Sequence, residues 1–447
     1  MIYGCLAFKL YVKSLYFKAE ILLISHPNLL SLIGGTLMPK LDIEFVRSQF
    51  PAFAETALEN FIHIENAGGT YACGQMIDAL ADFYKQSKVQ PYYGFEPSNQ
   101  AGEKMSLARA RLASWLNVRP NEVHFGPSTS QNTYVIGQAM RNYLGPADEI
   151  IVTNQDHEAN IGAWRKLEGE GVLVKEWQVN PFTGELETND LINMLSDNTR
   201  FVAFTHCSNI VGSINPAGEW IRLIHEAGAL AFVDGVSYAG HGLPDIGGLD
   251  ADIYFFSLYK VYGPHLGVMV MKNDLNQALP NQGHYFNHGS PNARFTPAGP
   301  DHAQIASVNG VIDYFDTIYS YHYDDMSVSD SLKSERINYL FKNAEQKNMI
   351  PLLEFLSDRK GVNLIGKVGA NDRAPTISFT IEGKKPADVA ELLANEKIGV
   401  ANGNCYATRL MDALEIPLKN GVVRLSFVHY TSEKEINKVI NALDRIL

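Results

Sequence analysis

From about residue 100 the apolar positions of the chain fall into two alternating patterns. Residues 103–115 carry Met105, Leu107, Ala108, Ala110 and Leu112 at helical spacing, with Leu116 just beyond, which predicts an amphipathic helix. Seven short apolar runs follow, at 123–125, 150–152, 172–174, 201–205, 230–233, 253–256 and 268–271. Most are apolar almost throughout, the pattern of strands covered on both faces. Helical stretches at 131–142, 159–169, 186–195 and 216–227 separate the earlier runs. This alternation predicts an α/β fold: a mostly parallel seven-stranded sheet sandwiched by helices. No helix separates the last two runs, which leaves the final strand free to run antiparallel.

Beyond about residue 320 the pattern changes. A long charged helix is predicted over 326–347, strands over 376–381 and 422–427, and a helix over 387–395. The last helix opens on Ser432-Glu433-Lys434-Glu435, which resembles a capping box, and carries Ile436, Val439, Ile440, Leu443 and Ile446 as its apolar stripe. These elements describe a smaller α+β C-terminal domain. A chain of 447 residues suits two such domains. We divide it into a large domain over 61–320, a small domain over 321–447, and a segment over 38–60 that packs with the small domain. Residues 1–37 read as an upstream extension ahead of Met38. Their apolar runs, Ile21 to Ile24 and Leu29 to Ile33, are broken by Ser25, His26, Pro27 and Asn28. Neither run approaches the roughly 20 apolar residues of a membrane span. A weak organelle-targeting or membrane-surface segment is the rival reading of this stretch.

Composition narrows the partners. Apolar residues make up 46% and charged residues 19%, and the net charge is -12. An acidic chain is poorly suited to nucleic acid or to an anionic membrane. Cys5, Cys73, Cys207 and Cys405 are scattered without a CxxC pair, so they predict neither a metal cluster nor a disulfide framework. Such usage fits a reducing, cytoplasmic setting.

The chemistry gathers at the strand ends, where ligands of such sheets sit. Lys260 follows the run Ile253-Tyr254-Phe255-Phe256 and precedes the turn Gly263-Pro264. An amine at the floor of a cleft can be desolvated, lose its proton near neutrality and attack a carbonyl. Asp234 ends an earlier run, Ala231-Phe232-Val233. An acid to pair a pyridinium nitrogen, followed by a lysine to form a Schiff base, points to pyridoxal phosphate. Ser128 and Thr129 stand ahead of a predicted helix, where hydroxyls and N–H groups serve equally to cap the helix or to bind a phosphate. His157 and Asn209 follow two further strands.

Five motifs carry a family resemblance: Asn66-Ala67-Gly68-Gly69-Thr70, His157-Glu158-Ala159-Asn160, Ser208-Asn209-Ile210-Val211-Gly212, Val233-Asp234-Gly235, and the run from Ser257 to Pro264. In this order the chain resembles the class V aminotransferase branch of the fold-type-I pyridoxal phosphate enzymes, near the cysteine desulfurases and selenocysteine lyases. The resemblance implies a Schiff base at Lys260, a ring-nitrogen partner in Asp234, and a ring-stacking proton carrier in His157. It also implies that Asn209 bonds the ring hydroxyl, and that Ser128, Thr129, Ser257 and Tyr259 reach the phosphate. Ser237 stands beside the ring where desulfurases carry glutamine. Arg424, among Val422, Val423, Leu425 and Phe427, is expected to clamp a substrate carboxylate, with Asn66 and Ala67 nearby.

Departures from the pattern bear on the reaction. Tyr259 replaces the histidine that usually precedes the lysine, and Ala401 replaces a second carboxylate-binding arginine. The segment that carries the desulfurase nucleophile reads Gly403-Asn404-Cys405-Tyr406-Ala407, which puts Tyr406 at the nucleophile position and Cys405 one residue early. In an extended segment that shift turns a side chain to the opposite side. The leading expectation is a desulfurase or selenocysteine lyase acting on an amino acid through Lys260, with Cys405 as nucleophile. The alternative is a class V aminotransferase, epimerase or C–S lyase that uses no cysteine. A cofactor-binding scaffold with weak catalysis is the third. The resemblance further implies a homodimer with its active site at the subunit interface, closed by a segment such as residues 294–300, and a sulfur-accepting protein partner.

Overall fold

Among the described residues the chain opens on a helix, Ile43–Ser48, followed further on by a two-residue strand, β1 (Ile62–His63). After them come the strands predicted from the apolar runs: β2 (Val123–Gly126), β3 (Glu149–Thr153), β4 (Leu173–Trp177), β5 (Thr199–Thr205), β6 (Leu230–Asp234), β7 (Ile253–Ser257) and β8 (Gly267–Met271). The computed structural model describes residues 39–297 and 299–447, so the extension predicted over 1–37 lies outside the described residues. Leu41–Leu447 form one compact unit.

The seven strands make one sheet in the order β2-β8-β7-β6-β5-β3-β4. Pairs among β3 to β7 are parallel, and β8 is antiparallel to both β7 and β2. A parallel connection needs a crossover. Only the 3₁₀ turn Leu258–Lys260 and a short loop separate β7 from β8, so the chain folds straight back. Alternate side chains of each strand serve opposite faces. Ile253 and Phe255 join Trp164, Phe201 and Phe232 on one side, while Tyr254 and Phe256 join Trp115 and Phe315 on the other.

Helices depart from the prediction in instructive ways. The helix expected from residue 103 spans Glu96–Trp115, and Leu107 and Ala110 of its proposed apolar side face solvent. The helices that the pattern did not predict include Gly74–Gln86 and His302–His322. The second buries residues around most of its circumference, so no amphipathic period marks it. The charged helix runs over Asp330–Ser357, straight through Pro351, which reads as a stop in sequence. None of the described helices is long and apolar enough to cross a membrane.

A second sheet is built from β9 (Val362–Leu364), β10 (Thr376–Ile381), β12 (Ala401–Gly403) and β13 (Val422–Ser426), in the order β12-β13-β10-β9. Its Ile377, Phe379, Val423 and Leu425 pack with Met349, Leu352, Ile436 and Val439. Strand β1 pairs in parallel with β11 (Ile398–Gly399). Arg47 binds the Tyr430 carbonyl at 3.1 Å and pairs with Glu435 at 2.7 Å, and Phe50 packs edge-on against Tyr262, Tyr314 and Tyr430. The segment before β1 is thereby tied to residues on both sides of the molecule.

Tyr262, just past Lys260, is a node of this packing. It is fully buried with a left-handed φ of 60°, and its hydroxyl donates to the Gly240 carbonyl. His429 Nδ1 lies 3.0 Å from the same oxygen, and the Tyr314 hydroxyl meets His429 Nε2. One proton assignment satisfies all three: Nδ1–H donates to Tyr262, and Tyr314 donates to Nε2. Tyr262→Phe would leave the Gly240 carbonyl and a histidine N–H buried without partners. It should lower stability by about 1–3 kcal/mol, read from the urea midpoint. An unchanged midpoint would show that both groups find other partners.

Candidate active site

The order of the large sheet reverses between β3 and β5: β4 lies outside β3, while β6 and β7 follow β5 the other way. A crevice opens at the carboxyl ends of strands at such a point. His157 follows β3, Asn209 follows β5, Asp234 ends β6, and Lys260 closes the turn after β7. These four line a cavity of about 310 Å³ together with Ser128, Thr129, Ser237, Ser257 and Tyr259. Every residue expected to hold the cofactor thus faces one space. Thr205, Cys207, Val236 and His265 also line it. No single residue type marks these four in sequence; they follow the strand ends that place them.

One end of the cavity is rich in hydroxyl groups. Ser128 caps the helix Thr129–Met140, its Oγ accepting from the Gln131 N–H at 3.2 Å. Thr129 Oγ1 and Ser257 Oγ lie 2.8 Å apart. The helix end can approach β8 because residue 267 is glycine; a Cβ there would fall 2.4 Å from the Ser128 carbonyl carbon. Hydroxyls at a helix N-terminus suit a phosphate. Tyr259 closes this end, its ring stacked on His265 at 4.9 Å.

The other end is governed by burial. Asp234 Oδ1 accepts from the Val236 N–H at 2.8 Å, yet burial pushes its carboxyl up to about 6. A buried anion of this kind suits a cationic N–H. Burial lowers Lys260 to about 8; Arg424 adds to the shift, and Asp234 and Glu65 oppose it. The amine is therefore close to losing its proton near neutrality. His157 Nδ1 accepts from the Ala159 N–H at 3.0 Å, so the neutral ring carries its proton on Nε2. Burial, with Lys260 and Arg424 nearby, holds this histidine down at about 3 and hence neutral.

The residues present fit pyridoxal phosphate. Beyond the hydroxyl cluster and the buried acid, Asn209 Oδ1 is buried without a partner, while its Nδ2 donates to the Cys405 carbonyl at 2.9 Å. A ring hydroxyl would satisfy that orphan acceptor.

The substrate side is built by the second sheet. Val423 and Leu425 of β13 face its core, so the intervening Arg424 and the following Ser426 face the other way. Arg424 is buried, donates from Nη1 to the Asn209 carbonyl at 3.1 Å, and pairs from Nη2 with Glu65 at 2.8 Å. Glu65 directly precedes the Asn66 motif but was not singled out in the sequence. The Asn66 amide is fully engaged: it donates to the His63 and Ser426 carbonyls and accepts from the Tyr430 hydroxyl. Ala67 N–H donates to Ser426 Oγ at 2.8 Å. Both residues line a narrow cleft that also contains Lys260 and Ser237.

Cys405 stands differently from the extended-strand expectation. It and Tyr406 have φ of 47° and 61°, both left-handed, so strict alternation of side chains does not apply. Asn209 holds the Cys405 carbonyl, and the Glu158 N–H donates to the Tyr406 carbonyl at 2.9 Å. The Cys405 thiol feels the charges of Arg424, Glu65 and Lys260, with burial raising its pKa. Tyr406 is largely exposed, its ring centroid 5.3 Å from that of His157. Arg294 of the predicted closing segment is engaged within its own chain, donating to the carbonyls of Asn276, Leu279 and His288.

A parallel sheet with its cleft at the order reversal, carrying these residues, defines a pyridoxal phosphate enzyme of fold type I. The chain belongs to the aminotransferase class-V family, whose profile matches residues 62–322 and 332–439. An aminotransferase-like protein of Gibberella zeae is 31% identical over 416 residues, 91% of this chain and 98% of its own. A cysteine desulfurase-like protein of Aspergillus flavus is 28% identical over 91% of each chain. The apo structure of a cysteine desulfurase from Thermococcus onnurineus shares the fold with a TM-score of 0.78, at 22% identity over 90% of this chain and 97% of the other.

The buried amine has a consequence for stability. Lys260 is held at about 8 in the folded, cofactor-free protein against 10.5 for an unperturbed lysine. The unfolded chain binds more protons between those values, so stability rises with pH across that window. Below it, the full penalty of burying the charged amine is present. Lys260→Met should therefore stabilise the cofactor-free protein at neutral pH, with the advantage shrinking as pH climbs from about 8 to 10.5. Urea melts at both ends of the window check this; a constant advantage would show that the amine is not held low.

Proposed function

We propose that the enzyme acts on a free α-amino acid as a cysteine desulfurase of the selenocysteine lyase type. In this reading L-cysteine and the Cys405 thiol give L-alanine and a persulfide on Cys405: the substrate's C–S bond breaks, an S–S bond forms, and Cβ regains a hydrogen. The observation that carries the reading is that Asn209, which lines the cavity with Lys260 and Asp234, holds the Cys405 carbonyl at 2.9 Å and so seats the cysteine loop at the cofactor cavity.

Pyridoxal phosphate, when bound, supplies an aldehyde for a lysine amine and an electron sink for bonds at the amino-acid Cα. Thr129, Ser257 and the helix end at Ser128 would hold its phosphate, Asp234 its ring nitrogen, and Asn209 its hydroxyl. Lys260, near its own deprotonation, offers the amine and afterwards a base beside Cα. His157 contributes a neutral imidazole whose Nε2–H can donate. Arg424 receives the substrate carboxylate through its guanidinium. Asn209 joins the cofactor cavity to the Cys405 backbone, so ring and nucleophile are registered by one side chain.

A second reading, transamination, epimerisation or C–S cleavage without a cysteine, draws support from the same loop. Burial keeps the Cys405 thiol protonated, and a thiol is a weaker nucleophile than a thiolate. Both readings carry a homodimer. An apolar cavity of about 520 Å³, bounded by Pro127, Val135, Phe295 and Pro300, adjoins the hydroxyl-lined end through His265 and offers a seat for a second copy. A sulfur-accepting protein belongs to the desulfurase reading alone. We place the enzyme in the cytoplasm, where free Cys73, Cys207 and Cys405 would stay reduced.

The purified enzyme should show the visible absorbance of cofactor bound to a lysine, and Lys260→Ala should lose it. Adding L-cysteine should release alanine in amounts matching sulfide or persulfide. Cys405→Ser should cut sulfur release by about 100-fold or more, as expected when a covalent nucleophile is removed. Undiminished sulfur release from Cys405→Ser would remove Cys405 and leave the cysteine-free lyase. Pyridoxamine phosphate or racemised amino acid among the products would establish the aminotransferase or epimerase instead.

A further inference from the structure

Arg424 is already partnered before any ligand arrives. Its Nη1 donates to a backbone carbonyl and its Nη2 to Glu65 Oε1, while Nε is buried with no partner. An arginine–carboxylate pair is strongest as a two-pronged fork. Glu65 makes a single contact, so the guanidinium is neutralised but not saturated.

The surroundings leave the charge of this pair finely balanced. Arg424 lies directly opposite Ala401 on β12, and directly opposed residues share a face of the sheet. Alanine there adds no second cation. Glu65 is fixed at its backbone, bridging to Ser426 and accepting the Gly68 N–H at 3.0 Å. Its carboxylate folds back over Gly68, where a Cβ would fall 2.2 Å from Oε2. The side chain of Arg424 is 5% exposed and that of Glu65 30%, so the acid alone has a path to water.

We propose that Glu65 sets how tightly the site takes an amino-acid carboxylate, by occupying Arg424 in the ligand-free enzyme and competing with the ligand for it. The inference rests on the reading of Arg424 as the carboxylate receiver. A ligand carboxylate has two oxygens and can use Nε as well as Nη2. If Glu65 stays, the ligand meets a neutralised guanidinium and a like charge; if Glu65 leaves, its pairing energy is lost. Either way affinity for the acid falls, while a ligand whose carboxylate is blocked as an amide is spared. Glu65 is thus a positioning residue that acts through Arg424 to select ligands able to displace a resident carboxylate.

The test is equilibrium binding to the cofactor-loaded enzyme, followed by the cofactor's visible absorbance, with L-alanine and L-alaninamide as probes. Glu65→Gln should tighten L-alanine by roughly tenfold, a usual size for coupling between ligands sharing a group. It should shift L-alaninamide by no more than about twofold on the same scale. Arg424→Lys should weaken L-alanine selectively. If Arg424→Lys discriminates acid from amide but Glu65→Gln binds L-alanine as the wild type does, or more weakly, the competition is overturned and the role of Arg424 stands. If Arg424→Lys treats the two probes alike, the reading of Arg424 itself fails. Gly68→Ala provides a second variant should Glu65→Gln not fold. Its methyl takes the place of the Glu65 carboxylate and should tighten L-alanine in the same direction; unchanged binding would count against the proposal.

Discussion

Burying the amine of Lys260 is the constraint on which the site depends. A lone ammonium is costly to remove from water, and the usual remedy is a carboxylate at ion-pair distance. Such a pair would raise the amine's pKa and disable it as a nucleophile. Here the opposing charges are balanced instead. Asp234 and Glu65 pull the proton on, burial and Arg424 push it off, and the result falls at about 8. The balance requires each charge to be positioned from a different element: Asp234 from β6, Arg424 from β13, and Glu65 from the segment after β1. The amine's chemistry is therefore a property of how the two sheets meet.

The meeting is itself enforced by buried hydrogen bonds. Tyr262 ties the turn after Lys260 to Gly240 and to His429, which follows β13. A Cβ at Gly240 would fall 2.5 Å from the Lys260 carbonyl, so the two loops are in direct contact. Arg424 and Asn209 are joined by a third bond, and Asn209 continues to Cys405. The guanidinium of Arg424 and the Cys405 backbone are thus linked through Asn209 by bonds to two backbone carbonyls. Carbonyls hold position without adding a formal charge that would upset the balance around Lys260.

Much of the large sheet was legible because its strands are buried on both faces. Apolar runs such as 201–205 and 253–256 have no rival interpretation once helices separate them, and the missing helix after Phe256 reported the reversed strand. Lys260, Asp234, His157 and Asn209 were legible because strand ends converge at an order reversal whatever the loops contain. The helix His302–His322 escaped because a helix buried on most sides has no stripe, and the end of its neighbour, residues 348–357, runs past a proline that would ordinarily stop it. Glu65 and the pose of Cys405 escaped for another reason. An acid before Asn66 looks like any surface carboxylate until a distant strand brings Arg424 to it, 359 positions along the chain. Left-handed backbone at Cys405 and Tyr406 has no signature in those residue types, since L-residues with side chains avoid it.

That backbone is where the two readings of the reaction divide. Two successive left-handed residues cost about 1–2 kcal/mol each, and such strain persists only where the surroundings impose it. The bonds from Asn209 and from the Glu158 N–H fall on the carbonyls of these two residues and on no others of the segment. They anchor the loop to Asn209 and to the start of the helix after His157, and Tyr406 lies beside His157. The first of these bonds comes from Asn209, which lines the cofactor cavity and whose Oδ1 is buried without a partner. Filling that cavity would fix the asparagine, and the asparagine would fix the loop, so the strained segment and the cofactor are coupled through a single side chain.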